Sequence, residues 1–279
     1  MSTIAIIGGG IAGTALAYQL RDSDYDVRLF EKEALGAGTT GKSIACFAWH
    51  LNYEGLDHDI ASRSWDIYQS LIADGELSYH ENGFMKLAET ESFFNQLRES
   101  VKELQDAGVP AKVLDESEIT EHNVSPEAAS AGATFYPSIG RLDPGEIVSY
   151  FAEMAREGGV DIETGVTVTD VITDDGAVTG LETSDGTLDA DMVVNAAGPW
   201  ARVLNEKAGV SVPLKHTMAP ISVLESDENF ELPTVILESG VYFTGERSAK
   251  TLVGDAPHES GDEGLWETAL ELDSPGREQ

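Results

Sequence analysis

The chain has 279 residues, 41% of them hydrophobic, and carries 50 acidic against 17 basic side chains, a formal net charge of −33 at pH 7. That length holds one large or two interwoven domains with a real core, while the charge repels nucleic acid and anionic membrane surfaces, so neither is expected as a partner. No apolar run reaches the length of a membrane span, and the single cysteine, Cys46, excludes an intrachain disulfide and a cysteine-based metal site. The acids are scattered (Glu89, Glu99, Asp115 and Glu118 among them) on a chain of strong apolar periodicity. This points to a folded protein adapted to a high-salt cytoplasm, where screening removes the self-repulsion.

Thr3 to Ile7 is a short apolar run rich in β-branched residues, the pattern of a parallel strand covered on both faces. Gly8, Gly10 and Gly13 follow it in the three fixed places of G-x-G-x-x-G. The first permits a tight turn, the second lets backbone approach a pyrophosphate, and the third lets a helix pack closely on the strand. Thr14 to Leu20 continues as helix, so its positive end points where phosphates would lie. A second strand, Asp26 to Phe30, ends in Glu31, near the expected spacing of about 20 residues for an acid that accepts from a ribose diol. Beyond it, Gly36-Ala37-Gly38-Thr39-Thr40-Gly41-Lys42-Ser43 is a loop of small residues and hydroxyls, suited to phosphate or ribitol oxygens.

These segments together resemble the FAD-dependent D-amino-acid oxidase superfamily, the group of glycine oxidase, sarcosine oxidase and dimethylglycine dehydrogenase. The resemblance implies non-covalent FAD, with pyrophosphate at Gly10, Ile11, Ala12 and Gly13, the adenosine ribose at Glu31 and Lys32, and further phosphate and flavin-side contacts at Gly38, Thr39, Thr40, Ser43, Ile44 and Ala45. A carboxylate at position 31 disfavours the 2′-phosphate of NADP.

Further along, Ala61, Trp65, Tyr68 and Ile72 form a helical stripe within Leu56 to Ala73. Asn82-Gly83 then reads as a turn and Phe84 to Ala88 as a strand. Phe93, Leu97, Val101 and Leu104 mark another amphipathic helix, closed by Gly108 and Pro110. Asp143-Pro144-Gly145-Glu146 announces a helix that buries Ile147, Phe151 and Met154. Short strands are predicted around residues 160–162, 166–173, 177–183 and 186–188, with turns at Asp175-Gly176 and Asp185-Gly186. They lead to the apolar run Met192 to Asn195 and to Ala196-Ala197-Gly198-Pro199-Trp200. This block is also similar to the superfamily, which implies an adenine contact at Val168 and a strand end under the dinucleotide at Ala197, Gly198 and Trp200. The remaining strands are expected in 216–224, 234–237, 241–244 and 251–253.

The expected fold class is α/β: a Rossmann-like FAD-binding domain with a parallel central sheet (residues 1–55 and 140–205), interwoven with an α+β substrate domain with an antiparallel sheet (56–139 and 206–254). Residues 255–279 read as a weakly patterned acidic tail. The superfamily continues with a further strand and a glycine-rich segment that closes the flavin site, so a complementing C-terminal segment or subunit is an expected partner. The chain opens directly on its first strand, and with one cysteine this suggests a cytoplasmic protein without a signal peptide.

The six histidines show no metal-ligand spacing. His50, Tyr242 and Arg247 are the candidates for the substrate pocket, and no catalytic residue is identified; Lys215 and His216 are adjacent, so at most one points inward. The function implied is oxidation of the C–N bond of a small amino acid or N-methylated amine by hydride transfer to flavin. A 2-hydroxy-acid or glycerol-phosphate dehydrogenase, or a split or truncated FAD-binding protein inactive alone, are the alternatives. With like charges spread over the surface, the thermal midpoint should rise steeply with potassium chloride until screening saturates, at roughly molar salt. A midpoint flat from low to molar salt would remove the high-salt reading.

Overall fold

The computed structural model describes residues 1–48, 55–214, 220–225, 227, 231–246 and 249–255. The described residues form two compact units, 1–43 with 143–214 and 44–142 with those from 220 onward, so the chain crosses from one to the other at 43–44 and at 142–143 and again after residue 214. Unit one opens with β1 (Thr3–Ile7), α1 (Ile11–Leu20) and β2 (Asp26–Glu31). Unit two then receives β3 (Cys46–Phe47), α2 (Gly55–Ala73), β4 (Tyr79–His80), β5 (Phe84–Ala88), α3 (Glu91–Asp106), β6 (Lys112–Leu114), α4 (Glu116–Glu121), β7 (Gly132–Tyr136) and β8 (Gly140–Leu142). The chain returns to unit one for α5 (Pro144–Glu157), β9 (Asp161–Thr164), β10 (Val168–Asp174), β11 (Ala177–Thr183), β12 (Gly186–Asp189), β13 (Met192–Asn195) and α6 (Ala201–Lys207). It ends in unit two with β14 (Ile221–Glu225), β15 (Thr234–Leu237), β16 (Val241–Glu246) and β17 (Lys250–Asp255).

In unit one, β13-β1-β2-β9 form a four-stranded parallel sheet. Both of its faces are covered, which explains the unbroken apolar run of β1. One face packs Ile4, Ile6, Val27 and Leu29 against Ala17 of α1 and Ala155 of α5. The other packs Ala5, Ile7 and Phe30 against Val171, Leu181 and Leu204, which belong to the antiparallel β10-β11-β12 sheet and α6. The β10–β11 hairpin turns on Asp175 (φ 49°) and Gly176 (φ 79°). Positive φ at both central residues gives the turn whose twist matches the strands, and Asp-Gly accepts it readily. Helix α5 starts where Asp143 accepts from the amides of Gly145 and Glu146, at 2.7 and 3.1 Å.

Unit two is built on a seven-stranded sheet in the order β14-β17-β16-β15-β5-β7-β6. It is not purely antiparallel: β15 enters from a distant part of the chain and pairs parallel with β5. One face holds Met85, Leu87, Phe135 and Val235 with Ile119 of α4. The other carries Tyr136 and Ile139 against Val101 of α3. The aromatic stripe of α2 finds its partner on the small β3-β8-β4 sheet, where Trp65 and Tyr68 lie 5.5 and 5.2 Å from the Phe47 ring. The fully buried position of that helix is Leu71, one residue before the expected Ile72. No helix among the described residues is long and apolar enough to cross a membrane.

Asp143→Ala removes the acceptor for two first-turn amides of α5. A loss of about 1 kcal/mol is expected from a missing N-cap, read as a lower midpoint in urea. An unchanged midpoint would mean that the helix start is held by its packing on α1 alone.

Candidate functional site

The chain leaves β1 outward to β2 and then β9, but returns on the opposite side of β1 for β13. Strand order therefore reverses at β1, and in an open parallel sheet the crevice beyond the carboxyl ends of the strands at such a point receives ligands. The Gly8–Gly13 turn sits there. Gly8 takes φ +108°, donates its amide to Phe30 O at 2.8 Å, and has backbone Ala196 O where a Cβ would stand. A Cβ on Gly13 would overlap the Gly8 carbonyl oxygen. Both glycines are demanded by contact, because α1 lies directly on the turn.

That closeness leaves the start of α1 open. Gly10 is its N-cap and offers no side chain. Thr14 N–H already bonds Gly10 O at 3.0 Å, and the Ile11 amide is satisfied by Thr40 Oγ1 at 3.1 Å. Among the described residues, the amides of Gly10, Ala12 and Gly13 have no acceptor. They form a donor set at the positive end of a ten-residue helix, which suits a pyrophosphate.

The loop after β2 is folded onto this turn. Gly36 donates to Gly9 O at 2.9 Å, and Gly41 donates to Gly36 O at 2.8 Å. Thr40 is thus held where its hydroxyl accepts from Ile11 while keeping its own proton to donate. Thr39, Gly38 and Ser43 lie on the exposed side of the same loop, and nothing stands within 4 Å of a Cβ placed on Gly38.

Glu31 closes β2. Its carboxylate accepts from Gly9 N–H at 2.7 Å and Glu33 N–H at 2.9 Å. Two amides fix its direction and use about half of its four lone-pair sites, so the remainder can accept from a diol. Lys32 places its ammonium 3.6 Å from the centroid of the Trp200 ring, tying the end of β2 to the turn after β13. Val168 is half-buried at the start of β10, two residues beyond Val166, whose amide bonds Glu31 O at 3.0 Å. Ala197 packs against the same core as Val168, and Gly198 follows with φ +55°. Asn195 was not singled out from the sequence, yet its side chain organises this turn. Its amide donates at 2.8 Å to both Ala201 O and Asn205 Oδ1, and its Oδ1 accepts from Ala197 at 3.2 Å. A lone polar residue ending an apolar strand was the only signal.

Ile44 and Ala45 belong to unit two. Ala45 has φ 48°, and Arg141 holds this segment by donating to Ile44 O at 2.8 Å and, from Nη1, to Gly245 O at 2.7 Å. Burial pushes the Cys46 thiol up to about 11, against smaller opposing effects of Thr234 and Arg141, so it is protonated at neutral pH. Tyr242 is half-buried on β16 with its ring over Gly254, where a Cβ would enter the ring, and burial raises its phenol. His50, Arg247, Lys215 and His216 lie outside the described residues, as does the tail from residue 256.

Fold and site define a dinucleotide-binding protein. Residues 3–274 match the FAD dependent oxidoreductase family DAO, and the chain belongs to that family, whose cofactor is FAD. Glycine oxidase of Geobacillus kaustophilus is 25% identical over 90% of this chain and 69% of its own length. Its crystal structure superposes with a TM-score of 0.75 over 92% of this chain and 72% of that one, at 23% identity. A 4-methylaminobutanoate oxidase of Paenarthrobacter nicotinovorans is 27% identical over 89% of this chain, and the mouse pyruvate dehydrogenase phosphatase regulatory subunit 28% over 76%. The chain spans 31% and 25% of those two relatives.

Glu31→Ala should weaken FAD retention about tenfold or more, the scale of a charge-assisted hydrogen bond removed, with the far-ultraviolet spectrum unchanged. Retention equal to the parent in ultrafiltration would show that the ribose is held elsewhere.

Proposed function

We propose that this chain is the cofactor- and substrate-binding part of a FAD-dependent oxidoreductase that acts on the C–N bond of a small amino acid or N-methylated amine. The observation that carries the reading is the family match over residues 3–274, together with relatives named for glycine and for a methylamino acid. The donor set at α1 fits the cofactor of that family. In this reading Gly10, Ile11, Ala12 and Gly13 hold the pyrophosphate, and Glu31, with Lys32 beside it, takes the ribose. Val168, Ala197, Gly198 and Trp200 line the adenosine side. Gly38, Thr39, Thr40 and Ser43 contribute phosphate and ribitol contacts, and Ile44 and Ala45 the flavin side.

The chemistry that FAD supplies when bound is acceptance of a hydride from the substrate carbon next to nitrogen. The chain's own residues bind and orient. Unit one is assigned to the cofactor and unit two to the substrate. The Tyr242 phenol, raised by burial, keeps its proton through neutral pH, so its part is a hydrogen bond to substrate and not proton abstraction. The Cys46 thiol is protonated for the same reason and is assigned no chemical role.

Purified chain should show flavin absorbance that bleaches anaerobically with glycine, sarcosine or D-alanine. Bound flavin that none of these reduces would overturn the amine reading and favour a non-catalytic role, the alternative raised by the regulatory subunit among the relatives.

A further inference from the structure

The seven-stranded sheet has one face filled by apolar side chains and one that is mixed. On the mixed face the strand registers set Thr134, Lys86, Ile236, Tyr242 and Gly254 in a single row across five strands. The neighbouring polar groups satisfy one another. Thr234 and Thr244 share a hydrogen bond of 3.1 Å, and Thr134 donates to the Tyr136 phenol at 3.2 Å. Lys86 does not join them. It is half-buried in the middle of the sheet, and among the described residues its ammonium meets no carboxylate and no hydrogen-bond acceptor. The interaction described for its ammonium is with the Tyr136 ring, 5.9 Å away at the centroid.

That arrangement is costly. A desolvated ammonium without a counter-ion is unfavourable, and a ring near the limit of about 6 Å for cation–π attraction offsets little of it. Burial accordingly pushes the lysine pKa down, with no acid among the described residues opposing it. Nor is acid scarce in this chain, where 50 carboxylates accompany 17 cations. A lysine in a central strand with no carboxylate beside it among the described residues, in a protein so rich in them, has the properties of a cation whose anion arrives from outside. Two strands away in the same row, roughly 10 Å at the backbone, stands the Tyr242 phenol, whose ring lies over Gly254.

We propose that Lys86 is the binding residue for the substrate's carboxylate, with the Tyr242 side of the row taking its remaining polar end. The assignment rests on the reading of the chain as an amino-acid or N-methylated-amine oxidoreductase and narrows it: the substrate is an amino acid and not a simple amine. Lys86 holds the anion by charge and hydrogen bond, and takes no part in moving hydride.

Two measurements test this. In the first, the full FAD-loaded chain is labelled briefly with acetic anhydride, with methoxyacetate as a non-oxidisable carboxylate probe and methoxyacetamide as its uncharged counterpart. Peptide mass spectrometry should show acetylation of Lys86 slowed about tenfold at a methoxyacetate concentration about ten times its dissociation constant. Methoxyacetamide should not slow it, and the exposed Lys42 and Lys102 should label alike throughout. Equal labelling of Lys86 with and without methoxyacetate, or equal protection by the amide, overturns the proposal. This readout needs no turnover, so it decides the matter even if no amine reduces the flavin and the functional reading fails. In the second, Lys86→Met should raise KM for sarcosine about tenfold or more with kcat retained, and leave unchanged the slow turnover and already high KM of an N-methylated amine that lacks the carboxylate. Loss of activity on both substrates alike would mark Lys86 as structural and overturn the assignment.

Discussion

The crevice end of the parallel sheet, where the cofactor is proposed to lie, depends on one close contact, the seating of α1 on the turn that ends β1. Gly13 stands so near the Gly8 carbonyl that any side chain would collide with it, and Gly8 in turn faces the Ala196 carbonyl beyond β13. Because the helix starts within van der Waals distance of the strand end, its first amides are aimed at the crevice and cannot be covered by a longer loop. The surrounding elements all serve that geometry. Gly36 bonds back to Gly9, Thr40 caps Ile11, and the Glu31 carboxylate grips Gly9 and Glu33. A helix end with open amides is the consequence of packing, and in the proposed reading the carboxylate beside it takes a free ribose diol and disfavours a phosphorylated one.

The interweaving of the two units follows from how each sheet is buried. A parallel sheet needs crossovers and cover on both faces. Unit one supplies α1 and α5 on one side and the β10-β11-β12 sheet with α6 on the other, so its second half must come after α5. Unit two solves the same requirement differently. Its central strand pair, β5 and β15, is parallel and joined through the whole of unit one's return.

Cations are few in this chain and their placement is informative. Arg141 bridges two backbone carbonyls, holding Ile44 beside β16, and Lys32 covers the Trp200 ring. Arg28 pairs with Asp161 and Glu163 across the β2–β9 edge at 3.3 and 2.5 Å. Each has a partner within its own unit. Lys86 differs from these three: among the described residues its half-buried ammonium meets no carboxylate, and it falls on the mixed face of the sheet that also carries Tyr242.

The local elements around the cofactor site were legible in the sequence because each has a short-range cause. Short apolar runs, glycines in fixed places, the Asp143-Pro144 start and the Asp175-Gly176 turn act within a few residues, and the strands they predict at 3–7 and 177–183 and the helices expected over 14–20 and from Pro144 are found, the first helix starting three residues earlier at Ile11. Glu31 and the hydroxyl loop were legible for the same reason. What the sequence could not contain was the pairing of distant segments. That β15 lies parallel beside β5, that Thr40 caps a helix 29 residues earlier, and that Asn195 ties the turn after β13 to α6 are results of long-range closure. Lys86 shows the difference most plainly. In sequence it is one polar residue in the alternation Phe84-Met85-Lys86-Leu87, indistinguishable from a solvated strand position. Only the pairing of β7 and β15 on either side of β5 leaves it half-buried with no acid beside it among the described residues, because burial is a property of the whole sheet and not of the strand that carries the residue.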